Sequence, residues 1–150
     1  MKHLILTAAL LGSSFAVCAV EPDDLPASAA TEAETTIMEM MVVTVTSASD
    51  TLWGADPQSD TDWLLLDDTA KSIIDVFEKI RNGGDGPNDA AWASEAKFQE
   101  YIDEEIGAGE AARAAIAAKD LDALFAAGDS LYSPCENCHI DYNPGVAGEQ

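Results

Sequence analysis

The chain has 150 residues and is strongly acidic, with seven Lys and Arg against 28 Asp and Glu and a formal charge of −21. Such a charge argues against a nucleic acid or an anionic membrane as partner, and for solubility or docking to a protein with a basic face. With 47 % apolar residues it can bury the core of one domain of ordinary size.

Met1-Lys2-His3 is a short positive start, Leu4 to Val17 an apolar run thinned by Thr7 and Gly12-Ser13-Ser14, and Val17-Cys18-Ala19 offers small residues for cleavage before Val20. Residues 1–19 therefore read as a secretory signal peptide, and the expected localisation is periplasmic. The run is too short and too interrupted to span a bilayer, which takes about 20 predominantly apolar residues. Cys18 opens a lipoprotein reading, but Val17 stands where a lipobox wants a small residue, so lipid anchoring is the minor alternative. Loss of the leader removes Lys2 and leaves six Lys and Arg against 28 Asp and Glu, formally −22.

Residues 20–30, with Pro22 and Pro26 among Asp23 and Asp24, read as a flexible N-terminus, and residues 31–150 as the domain. A first helix is predicted from Thr31, with Thr31 and Glu34 as a capping box, to Trp53; Ile37, Met38, Met41, Val45, Ala48 and Leu52 form its inward stripe. The β-branched run from Val42 to Thr46 weakens its middle. A second helix spans Asp60 to Arg81, with Trp63, Leu66, Ala70, Ile73, Ile74, Phe77 and Ile80 on one face. After the turn at 82–87, a third begins at Asn88 or Asp89 and runs through Trp92, Phe98, Ile102, Ile106 and Ile116 to Ala118, loosened by Gly107 and Gly109. Asp120 caps a fourth, whose inward residues are Leu121, Leu124, Phe125, Gly128, Leu131, Tyr132, Cys135, Cys138, His139 and Tyr142; Pro134 predicts a kink or break within it. Four amphipathic helices with short connections give an all-α fold, an antiparallel four-helix bundle.

The fourth helix carries Cys135-Glu136-Asn137-Cys138-His139, a C-x-x-C-H string. On a helix, positions i, i+3 and i+4 share a face, so two thiols can add to the vinyl groups of one haem while the imidazole binds its iron. The expected cofactor is one haem c held by two thioethers, near the C-terminal helix and inside the bundle. A zinc site would want four ligands, and the remaining Cys18 and His3 lie in the leader. A redox dithiol would sit beside a βαβ pattern, which is lacking here. Export and haem attachment reinforce each other, because haem c is attached outside the bacterial cytoplasm.

After removal of the leader no second His remains, and the three methionines, Met38, Met40 and Met41, share one helical turn. A thioether in the sixth position raises the potential and keeps the iron in electron transfer. Met41 is the first candidate and Met38 the second; with neither bound, the iron is open.

Through the haem string with Tyr142, Leu131-Tyr132 before it, the stretch from Met41 to Asp50 and Trp53, and Asp62-Trp63, the chain resembles the cytochrome c prime superfamily, and more closely its low-spin branch. The resemblance implies Met41 as sixth ligand by alignment through Asp50 and Trp53, and homodimers packed through the first two helices. The basic residues usual in the first helix and after the Tyr are missing, so the haem propionates are expected to find Arg81, Arg113 or solvent. The leading expectation is a single-electron carrier that is not an enzyme and that serves a redox partner protein. A five-coordinate protein binding nitric oxide or carbon monoxide is the alternative. Peroxidase-like activity is weakest, for lack of a distal His.

Overall fold

The computed structural model describes residues 35–143, which all fall in the contact unit Glu32–Gln150. The leader, Cys18, the N-terminal segment 20–30 and the Thr31–Glu34 capping box lie outside the described residues. Among those described there are helices and no strand.

Helix α1 starts at Ile37, six residues later than predicted. Thr36 caps it, its hydroxyl accepting from the Glu39 amide while the Glu39 carboxylate accepts from the Thr36 amide. It runs as Ile37–Met40, passes through one π turn, Met41–Val45, and continues as Thr46–Trp53. The β-branched run is where the helix widens, and the Met41 carbonyl there accepts from both the amide and the hydroxyl of Thr46. A wider turn holds one extra residue, which rotates everything upstream relative to the stripe downstream. Met40 is therefore buried, at 8 % exposure, and Met38 faces outward at 68 %, against the predicted inward stripe.

Helix α2, Asp60–Ile80, matches its predicted span and is capped by Ser59 with Asp62 at the third position. Gly83 ends the following turn at φ 90°, a conformation glycine alone adopts cheaply. The predicted third helix is two: α3, Asp89–Ala93, and α4, Ala96–Ala118, separated at Ser94-Glu95. Gly107 and Gly109 do not interrupt α4. A Cβ on Gly109 would lie 2.8 Å from Ile74, so that glycine allows α2 and α4 to approach. Helix α5, Leu121–Tyr142, is capped by Asp120 as predicted, and it runs through Pro134 without the expected break. One lost backbone bond is outweighed by burial on both sides of it, at Leu131 and Tyr142.

The bundle is antiparallel. Arg81 pairs with Asp103 and Arg113 with Asp67, which sets α4 against α2 in opposite directions. Tyr142 at the end of α5 stacks edge-on against Phe98 near the start of α4. Leu52, Ile73, Ile80, Phe98 and Leu124 are the largest side chains sealed in the core. Of the aromatics expected in the core or at a haem wall, Phe98 is buried and Trp63 and Trp92 partly so; Trp53, Phe125 and Tyr132 are exposed.

Candidate functional site

Cys135, Cys138 and His139 all lie on α5 and are half-buried, and both thiols are free. The residues interleaved with them on the inner face are apolar and buried, Leu131 and Pro134 before and Tyr142 after. Burial raises the Cys135 thiol pKa, and it pushes that of Cys138 up to about 12. Thiolates are thus disfavoured, which counts against a reactive dithiol, which needs S⁻. No group of three or more metal-ligating side chains is gathered among the described residues. A neutral thioether in apolar surroundings has no such difficulty, so the donor set fits a covalently held haem better than either rival.

The end of the bundle that holds His139 is tied together by aromatic rings and by a buried carboxylate. Tyr142 packs edge-on to Trp92, Phe98 and Tyr101, and its hydroxyl donates to Glu95 at 2.9 Å. Tyr101 donates to Asp141, which also pairs with Lys97. Asp89, buried on α3 three residues from Trp92, accepts from the amide of Ile37 at 2.8 Å and of Gly86 at 3.0 Å. The start of α1 is thereby held at the end of the bundle where α5 finishes.

At the opposite end Trp53 closes α1 against α5. A Cβ built on Gly128 would fall 2.3 Å from Trp53 Nε1, so the indole lies directly on the glycine. Helices α1 and α5 are therefore antiparallel neighbours, with Trp53 and Gly128 at one height. Met41 is twelve residues back from Trp53 and His139 eleven on from Gly128. At about 1.5 Å per residue both lie some 17 Å along, so Met41 and His139 fall toward the same end of the two helices. Met41 is half-buried and packs against the core, whereas Met38 is exposed.

Two features were not foreseen. Arg81 pairs with Glu78 and Asp103, and Arg113 makes a two-point contact with Asp67 at 2.7 and 3.0 Å. Glu105 on α4 is only 2 % exposed, and its carboxylate oxygens meet no nitrogen or oxygen donor; the one donor beside them is the weak Cys135 thiol. Its pKa is raised to about 7, chiefly by burial; the Cys135 thiol offsets part of this and Glu104 adds to it. In the sequence it looks like one more acid on an acidic helix, and only its phase with Phe98 and Ile102 could have marked it.

An all-helical bundle whose last helix presents two thiols and an imidazole on one face defines a c-type haem protein. The family model for cytochrome c' matches residues 29–143, and the chain belongs to that family. No curated protein and no solved structure matches it.

Proposed function

We propose that the protein carries single electrons in the periplasm, through one haem anchored by Cys135 and Cys138 and ligated by His139 and Met41. The haem, when bound, supplies the reversible one-electron couple of its iron. The chain's own residues hold it and exclude water: α5 carries both anchors and the proximal imidazole, and α1 offers a thioether from across the bundle. The placing of Met41 and His139 toward the same end of neighbouring antiparallel helices supports this reading. Export rests on the leader; in addition, no helix among the described residues is long and apolar enough to cross a membrane. We read the protein as a carrier and not an enzyme, since His139 is the one histidine beyond the leader and no distal histidine is left for peroxide chemistry.

The test is the absorption spectrum of the reduced protein with and without carbon monoxide. Sharp, split bands that carbon monoxide leaves unchanged support six-coordination, and Met41→Ala should then give broad bands that sharpen with the gas. Met40→Ala should leave the ligation unchanged.

A second reading is favoured by membership of the cytochrome c' family, whose five-coordinate members bind small gases on the open face. In it Met41 lines the distal side without binding, and the wild type itself responds to carbon monoxide. For partners we propose a redox protein with a basic docking face and a second copy of the chain. The latter is supported by Met38, Val42 and Val43 on α1 and Leu64 and Leu65 on α2, all at least 60 % exposed.

A further inference from the structure

Glu105 is a carboxylate in a place where folding gains nothing from it. A buried carboxyl group without a cationic partner costs free energy, more so when charged, and an apolar residue of similar size would avoid the cost. It sits in phase with Phe98 and Ile102 on the inner face of α4, and all three are buried. The groups acting on it are Cys135 and Cys138 from α5 and Glu104 from its own helix. On α2, the Arg81–Asp103 pair and the Gly109–Ile74 contact set the height of Glu105 beside the apolar Phe77 and Ile80. The short α3 contributes Asp89, which is turned to the amides of Ile37 and Gly86. No cation among these groups pairs with Glu105. Its neighbour is the first haem anchor, Cys135, and not the iron ligand.

We propose that Glu105 couples a proton to the electron: on reduction its carboxylate takes up one proton, and on oxidation it releases it. This rests on the haem reading above. In balance, one electron from a donor protein turns ferric iron ferrous, and one proton from solvent turns the Glu105 carboxylate into the acid; the new O–H bond is the only bond formed. The physical cause is the loss of one positive charge from the haem on reduction. In a poorly screened interior, a nearby carboxylate is stabilised by the ferric charge and loses that stabilisation when the iron is reduced. Electron and proton therefore arrive together, and the site's net charge is conserved. The burial of Glu105 brings this exchange into the neutral range, where it matters to a periplasmic protein.

The experiment is a redox titration of the holoprotein as a function of pH, with an infrared difference spectrum between oxidised and reduced states. The midpoint potential should fall as pH rises around 7, by at most a tenfold change in the oxidised-to-reduced ratio per pH unit, about 59 mV for one electron. A protonated carboxyl band should appear on reduction. In Glu105→Gln the slope in that range and the band should both be lost, while covalent haem is retained. Glu105→Asp keeps a carboxyl group and should keep the slope with a displaced midpoint, which covers the case that the amide does not fold. An unchanged slope in Glu105→Gln, or a wild type without slope or band, overturns the proposal and assigns any proton to the propionates or elsewhere. Absence of covalent haem in the wild type would instead overturn the haem reading, and this proposal with it.

Discussion

Asp89 and Glu105 are both buried carboxylates, and the bundle treats them in opposite ways. Asp89 takes two backbone amides, one of them from the first residue of α1, and so fixes the end of the helix that carries the methionines. Asp89→Ala leaves buried donors without partners and should cost about 2–4 kcal/mol, read as a lowered denaturant midpoint with unchanged slope. Glu105 takes none, and its place in the structure is explained only by what lies beside it. That Cys135, Cys138 and His139 share one helix was legible in the sequence, since their spacing is a local property of that helix. The exposure of Met38 was not, because it depends on the extra residue that the π turn at Met41–Val45 takes up. The commitment of Arg81 and Arg113 to Asp103 and Asp67 was hidden too, since pairing between helices has no local signature.

At the scale of elements, the π turn and two close approaches decide the geometry of the site. Helix α2 was read to within a residue, owing to its unbroken stripe and its Ser59–Asp62 cap. The break at Ser94-Glu95 was not seen, for lack of a glycine or proline to announce it. Pro134 does not break α5, because a helix held by burial on both sides tolerates one missing bond. Gly128 is where α5 accepts Trp53, and the height of Met41 is reckoned from that contact. Gly128→Ala should force the indole away, cost about 1–3 kcal/mol in thermal or denaturant unfolding, and shift the tryptophan fluorescence. Gly107→Ala, with nothing near its added methyl, should not destabilise.

For the whole molecule, charge and surface bear on the proposed partners. At a formal −22 without the leader, docking to a basic redox protein should be steered electrostatically, so the second-order rate of electron exchange should fall as salt is raised. A rate independent of ionic strength would remove the basic partner from the account. The exposed apolar residues of α1 and α2 predict a dimer by sedimentation, and Val42→Glu with Leu65→Glu should yield the monomer. The bundle itself was plain from four amphipathic stripes, and the family match agrees with it. Which chemistry the bundle performs turns on one bond that no stripe reveals. The reduced spectrum with and without carbon monoxide tests it most directly. His139 and Met41 ligation predicts sharp, split bands that the gas leaves unchanged, and broad bands that sharpen on adding carbon monoxide would contradict it.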